Sequence, residues 1–493
     1  MKKDTFISTS IPYANANPHI GFAMEIIQAD LVARYKRQKG HNVFFLTGTD
    51  EHGSKMWRTA QKQGIEIQEF VNEKAKKFKE LTKILNISND DFIRTTEKRH
   101  QQAAKKLWQK IAQNNFFKKK NFQGLYCSGC EAFLTEKDLI EGKCPYHKKA
   151  PEKLSEKNWF FLLSNLSEQI LEILKTNRLE IFPFYRQKEI IQFVKKGLND
   201  ISFSRPKENL PWGIDVPSDN NQVMYVWCEA LINYISALDY GKENQEKFIK
   251  FWQKGEKIQI IGKDILRFHA AFWPGMLQAA NEELPSKILV HGFLTSSGEK
   301  MSKSLGNVID PFDIVQKYDS DSLRFYLLHQ IPFGRDGDFT EERFQEIRNA
   351  YLADSLGNLL SRVHQLALKA NLENFMGIEL KDNFALESQK MHSKVEKNMN
   401  KFEFHLALEA IFTFFTFLNR LLNETKPWQK LKEDPQKGKI LLQYFLESLR
   451  QSSYLLAPFL PSTSEKIRYC LGLDKNFTWQ GKLGTKIILF PKI

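Results

Sequence analysis

Apolar runs alternating with helical periodicity constrain this chain more than any other feature. FISTSI (6–11) reads as a short strand, residues 19–38 as a helix, and NVFFLTGTDEHG (42–53) as an apolar strand entering a polar, glycine-containing loop. A further helix is expected over about 54–63. Strands that alternate with helices form a parallel sheet with helices on its faces. The texture then breaks: the basic, turn-rich stretch KKKNFQGLYCSGCEAFLTEKDLIEGKCPYHKKAPEK lies within 116–157. The α/β pattern resumes at QVMYVWCEALINYISAL (222–238), KIQIIGKDILRFHAAFWPGML (257–277) and KILVHGFLTSSG (287–298). A sheet interrupted by an insertion and then completed explains this order. Beyond about 341, apolar residues recur at threes and fours between polar or proline-bearing breaks, predicting a helix bundle. The tail GTKIILFPKI is expected to close as a short strand or a packed arm.

The length of 493 residues, with 42% hydrophobic, supports several cores. No run approaches the roughly 18 apolar residues of a membrane span, and MKKDTFISTSIPY lacks the apolar core of a signal peptide. A soluble cytoplasmic protein, with no membrane partner, is the expectation. The formal charge of +14 fits either a lysine-rich solvated surface or a polyanionic partner.

Three of the five cysteines cluster near a histidine as C-x2-C-x13-C-x2-H: Cys127, Cys130, Cys144 and His147. Two ligand pairs on matched turns can wrap a tetrahedral cation, and three thiolates with one imidazole suit Zn²⁺. With no obvious open position, the expected role is structural: the metal folds the insertion.

In PHIGF (18–22), a helix begins after a Pro/Asn/Ala-rich loop. Ile20, Met24, Ile27, Leu31 and Tyr35 make one apolar stripe; Phe22, Ile26, Ala29 and Ala33 make another. Such a helix is buried on two sides, and its N-terminus is a natural phosphate seat. His19 and Phe22, three apart, share a face, with Gly21 between them. Alone, this tripeptide is more often a plain helix start. In TSSGEKMSKSLGN, Lys300 and Lys303 sit in a Gly/Ser loop after a strand, where ammonium groups can close over a triphosphate and stabilise a leaving pyrophosphate. An exposed basic loop is the bland alternative. Asp50, ending the apolar strand in TGTDEHG, is placed to bind an ammonium group; Trp227 and Tyr234, seven apart on one expected helix, can present a single aromatic face.

HIGF followed by KMSKS about 280 residues later resembles the paired signature of class I aminoacyl-tRNA synthetases. SIPYANANPHIG, FFLTGTDEHG, YVWCEALINYISA, IGKDILRFHAAFWPGML and VHGFLTSSGEKMSKSLGNVIDP resemble the methionyl-tRNA synthetases in particular, across essentially the whole chain. The departure is Phe22, where the family motif carries a second histidine.

The resemblance implies an α/β, Rossmann-like parallel-sheet catalytic domain, split by a zinc-knuckle connective insertion and followed by an α-helical anticodon-binding domain. The expected boundaries are 1–115 and 221–340 for the catalytic halves, 116–220 for the insertion and 341–493 for the bundle. The second catalytic half is expected to carry the KMSKS loop and a stem-contact region. The implied reaction is methionine activation by ATP to methionyl-adenylate, then transfer to the 3′-terminal ribose of tRNA(Met), with Mg²⁺ accompanying ATP. His19, Lys300 and Lys303 take the catalytic positions, and Ser8, Gly21, Gly262 and Asp264 join them for ATP. For Asp264, a ribose-hydroxyl acceptor and a helix N-cap both remain open. Ile11, Tyr13, Asp50, Trp227, Ala230, Leu231, Tyr234, Ile265 and His269 fall on methionine-pocket positions. For the aromatics and Ile265 the bland alternative is core packing, and for His269 a satisfied helix histidine. Asn358 and Arg362, at i and i+4, with Trp428 in KPWQK, fall on anticodon-contacting positions. Here the alternatives are a capped helix and a packed indole. The knuckle resembles that of the family's connective domain. The absence of an appended oligonucleotide-binding domain favours a monomer. Competing readings are a class I synthetase for another amino acid and a non-catalytic tRNA-binding paralogue.

Overall fold

The computed structural model describes residues 2–127, 132–134, 136–145, 148–301, 307–372 and 375–493. They form two compact units that cut across chain order. One comprises the chain up to Pro18, Lys36–Thr82 and Ser88–His291; the other comprises His19–Tyr35, Lys83–Ile87 and Gly292–Ile493.

The first unit is built on a six-stranded sheet ordered Asp91–Arg94, Asn42–Thr49, Asp4–Thr9, Glu256–Gly262, Lys287–His291, Glu180–Phe182. Every pairing in it is parallel. Both faces of the sheet are covered, so even polar strand residues such as Thr5, Ser8 and Gln259 are buried. Phe6, Leu46, Ile93, Ile261 and Ile288 join Leu107, Trp252 and Trp273 in one buried cluster. The helix expected near 54–63 spans Ser54–Gln63. Within the insertion, Phe117–Cys127 pairs antiparallel with Glu152–Phe161 over ten residues, flanked by Ala132–Leu134 and Ile201–Ser202.

One expectation needs correcting. Trp227 and Tyr234 do not share a helix: Val226–Ala230 and Asn233–Ser236 are separate short helices. The Asn233 side-chain amide donates to the Ala230 carbonyl at 2.7 Å, the acceptor that a continuous helix would offer to residue 234.

In the second unit, helix Ile20–Gln38 is buried as far as Tyr35 on most sides, Asp30 included. Arg324 meets Asp30 at 2.8 Å, both fully buried. The same guanidinium donates to the carbonyls of Leu85, Pro458 and Phe459. It therefore pins the opening helix, the 83–87 segment and the last helices together. The bundle runs through Asn358–Lys369, Asp382–Asn400, Phe404–Thr425, Pro435–Leu456 and Pro461–Cys470. Phe404–Thr425, extended through Glu433, is long and apolar enough by composition to cross a membrane. Its Leu408, Ile411, Phe415, Leu418 and Leu422 are instead buried among the bundle helices. The tail forms no strand; it is a packed arm, with Leu489 and Phe490 buried and the Pro491 carbonyl accepting from Arg348.

Candidate active site

In an open parallel sheet, ligands bind outside the strand carboxyl ends where neighbouring connections diverge. Here that point lies between Asp4–Thr9 and Glu256–Gly262, adjacent in the sheet but distant in sequence. Ile11 and Tyr13 follow the first of these strands, Asp50 follows Asn42–Thr49, and Gly262, Asp264 and Ile265 follow the second. The Asp50 amide donates to the Pro12 carbonyl at 3.0 Å, and the Ala14 amide donates to the Asp50 carbonyl at 2.9 Å. These bonds hold Tyr13 beside Asp50. The Asp50 side chain is buried, so its carboxylate offers an anion in a largely desolvated setting.

The other positions expected at the methionine pocket are largely aromatic and apolar. Trp227 stacks on Phe268, with ring centroids 3.8 Å apart and planes 10° apart. Ala230, Leu231, Tyr234 and His269 are buried, and Ile11, Tyr13 and Ile265 pack at the margin of the same core. The Tyr234 hydroxyl lies 2.7 Å from His269 Nε2, and His269 Nδ1 lies 3.0 Å from the Ile265 carbonyl. A carbonyl only accepts, so Nδ1 carries the proton, Nε2 accepts, and Tyr234 donates. Burial pushes the His269 pKa down to about 4, so the ring is neutral at physiological pH. The cluster is therefore apolar and aromatic, and its polar members form an uncharged hydroxyl–imidazole pair.

This has a measurable consequence. With an ordinary value of 6.5 in the unfolded chain and about 4 in the fold, the unfolded state binds more protons between those limits. Stability from His269 is complete above pH 6.5 and is lost as pH falls toward 4, by about 3 kcal/mol. His269→Gln, which stays neutral, is expected to flatten the decline of unfolding free energy across that window, as read by urea titration at a series of pH values.

Sequence reasoning missed several supporting residues. Glu51 receives Arg94 through both carboxylate oxygens at 2.7 and 2.9 Å, and its carbonyl accepts from Trp212 Nε1. His52 reaches Glu229 at 3.0 Å. This contact joins the loop after Asp50 to the helix bearing Trp227 and Ala230. Phe268, under Trp227, lies four residues before Phe272 in an aromatic run, the only sequence signal it offered. Gly53, at φ 99°, opens the helix Ser54–Gln63 in a conformation that favours glycine.

Of the residues expected at ATP, Ser8, Gly262 and Asp264 belong to the first unit, and His19, Gly21 and Lys300 to the second. Ser8 is fully buried on its strand, and its hydroxyl has no hydrogen-bond partner among the described residues. Asp264 is exposed in the turn Lys263–Ile265. The cap position there is Gly262, so Asp264 is not an N-cap. In the second unit, the Gly21 amide donates to His19 Nδ1 at 3.1 Å. In the neutral ring that places the proton on Nε2 of an exposed side chain. A Cβ on Gly21 would lie 2.8 Å from the His19 ring, so His-x-Gly is one geometric unit. Phe22 is buried, 7% exposed, and carries no hydrogen-bonding side-chain group. Glu299–Lys300 pairs with Leu294–Ser296 as a hairpin. Lys303 lies outside the described residues, as do Cys130 and His147.

Cys127 ends the long insertion strand, and the Cys144 amide donates to the Lys149 carbonyl at 2.9 Å; both cysteines are buried. Among the described residues, no three His, Cys, Asp or Glu gather as a metal group. In the bundle, Asn358 is exposed at the start of its helix, and the Arg362 guanidinium lies over the Trp428 ring at 5.9 Å while bonding Asn423. The structure thus brings together two residues, 66 apart in sequence, that are expected at the anticodon.

A parallel sheet with this switch point, a buried carboxylate at its carboxyl edge, and a helical C-terminal region fit the architecture of a class I aminoacyl-tRNA synthetase. Residues 5–153 and 146–364 match the family described as tRNA synthetases class I (M), and residues 378–492 match the anticodon binding domain of methionyl tRNA ligase. The chain belongs to the methionyl-tRNA synthetase family. It is 39% identical to the methionine–tRNA ligase of Caldanaerobacter subterraneus over all of this chain and 79% of that protein. It is 40% identical to that of Brucella suis over 94% of this chain and 90% of that protein. The Mycobacterium tuberculosis methionyl-tRNA synthetase in complex with methionyl-adenylate superposes with a TM-score of 0.94 at 33% identity, covering 100% of both chains.

Proposed function

We infer that the protein activates methionine with ATP to methionyl-adenylate and pyrophosphate, then transfers methionine to the 3′-terminal ribose of tRNA(Met). The observation that carries this reading is the buried Asp50 and an apolar, aromatic wall whose polar members are the neutral Tyr234–His269 pair. Methionine is long, uncharged and soft at sulfur. Asp50 is assigned its α-ammonium; Ile11, Tyr13, Trp227, Ala230, Leu231, Tyr234, Ile265 and His269 are assigned its side chain.

ATP is assigned to Ser8, His19, Gly21, Gly262, Asp264, Lys300 and Lys303. The exposed Asp264 carboxylate suits a ribose hydroxyl, and the His19 Nε2–H suits a phosphate oxygen. The methionine carboxylate attacks the α-phosphorus, and the bond to pyrophosphate breaks. The terminal 2′-hydroxyl then attacks the acyl carbon, and AMP leaves. No side chain forms a covalent bond; the residues position substrates and stabilise charge, His19 and the lysines on the phosphates. Mg²⁺ bound with ATP would neutralise further phosphate charge. Cys127, Cys130, Cys144 and His147 are assigned a structural Zn²⁺, supported by the two buried thiols and by the chemistry of the donor set.

We assign Asn358, Arg362 and Trp428 to the anticodon, with Arg362 stiffening an indole on which an unstacked base can lie. Trp428→Ala is expected to raise the KM for tRNA about tenfold or more in aminoacylation while leaving ATP–pyrophosphate exchange unchanged. Equal loss in both assays contradicts the assignment. As a translation enzyme of this class, the protein is placed in the cytoplasm.

A further inference from the structure

Glu229 is the least expected residue of the first unit: a fully buried carboxylate between the pocket positions Trp227 and Ala230. One oxygen lies 3.0 Å from His52 Nδ1 and the other 2.8 Å from His100 Nε2. His100 is itself fully buried, and its Nδ1 lies 2.9 Å from the Ser236 hydroxyl. Burial pushes the Glu229 pKa up, but the two histidines outweigh it and hold the group below its usual range. A carboxylate so placed persists only because both oxygens are satisfied.

The location of its partners matters. His52 is two residues past Asp50, in a stretch where each residue is tied down: Asp50 by Pro12 and Ala14, Glu51 by Arg94, His52 by Glu229. Ser236 lies two residues past Tyr234. His100 comes from helix Lys98–Gln113, which contributes Leu107 and Trp108 to the same core. One network therefore joins four elements: the loop carrying Asp50, the two short helices carrying the aromatic wall, and helix Lys98–Gln113.

We propose that His52, Glu229 and His100 form a positioning network for the methionine pocket, with Glu229 as the strut that sets the Asp50 carboxylate relative to Trp227, Ala230 and Tyr234. The inference rests on the assignment of that pocket to methionine. The strut touches neither the reacting atoms nor the ATP positions, so its loss should register in methionine recognition alone.

The test uses the full chain in methionine-dependent ATP–pyrophosphate exchange. His100→Leu fills the volume but removes one donor to a buried charge, while His100→Gln carries a donor amide to nearly the same place. The expected result is a methionine KM raised about tenfold or more in His100→Leu, an ATP KM within about twofold, and near-parental values in His100→Gln. A lower melting temperature with unchanged methionine KM, or equal rises in both KM values, overturns the proposal. Should His100→Leu not fold, Glu229→Gln under the same readout decides. Absence of exchange in the unsubstituted chain would remove the functional reading itself; exchange with an unmoved methionine KM in the variants removes only this inference.

Discussion

Asp50→Asn is expected to lower kcat/KM for methionine by about 10²- to 10³-fold in ATP–pyrophosphate exchange, with little change in ATP KM. The substitution is nearly isosteric, so the backbone bonds to Pro12 and Ala14 are retained and the pocket keeps its shape. Only the charge is lost. Asp50 is buried at the carboxyl end of its strand, where water cannot replace a missing counter-ion. Removing one partner of a buried ion pair costs about 3–5 kcal/mol, because the other charge stays desolvated. An unchanged methionine KM would show that the ammonium binds elsewhere.

His19→Ala is expected to reduce the maximal activation rate by about 10²- to 10³-fold, the loss typical of one preorganised donor at developing oxyanion charge. The prediction follows from the tautomer. Because Nδ1 accepts the Gly21 amide, the neutral ring has a single donor, Nε2–H, on an exposed side chain at a helix start. Phe22 supplies no donor and is buried, so His19 works without the second histidine of the family motif. Phe22→His is accordingly expected to preserve or raise the rate, which burst measurements of adenylate formation can follow. A silent His19→Ala would reduce the opening stretch to a helix start.

Most of the parallel sheet was legible because strand and helix periods differ, and NVFFL, IQII and ILV stand out as apolar segments bounded by polar turns; the short edge strands Asp91–Arg94 and Glu180–Phe182 carry too few apolar residues to stand out. The bundle was legible for the same reason. Asp50 could be singled out because the family resemblance implies methionine, whose α-ammonium needs an anion, and Asp50 stands at the end of an apolar strand. What escaped notice depends on side chains meeting across long sequence distances. The break between Trp227 and Tyr234 comes from one Asn233 amide. The stack of Phe268 under Trp227 joins residues 41 apart, and the two histidines on Glu229 arrive from 177 and 129 residues away. Arg324 likewise reads as an ordinary helix residue until its four partners are seen. Family resemblance located pocket positions such as His269. The geometry added its protonation state, which the sequence does not carry.

The most direct test of the central claim is ATP–pyrophosphate exchange by the purified chain across a panel of all amino acids. The account predicts exchange that depends on methionine, far above that with any other amino acid, and abolished pocket by pocket through Asp50 and His19. Faster exchange with a different amino acid, or none with methionine, would contradict it.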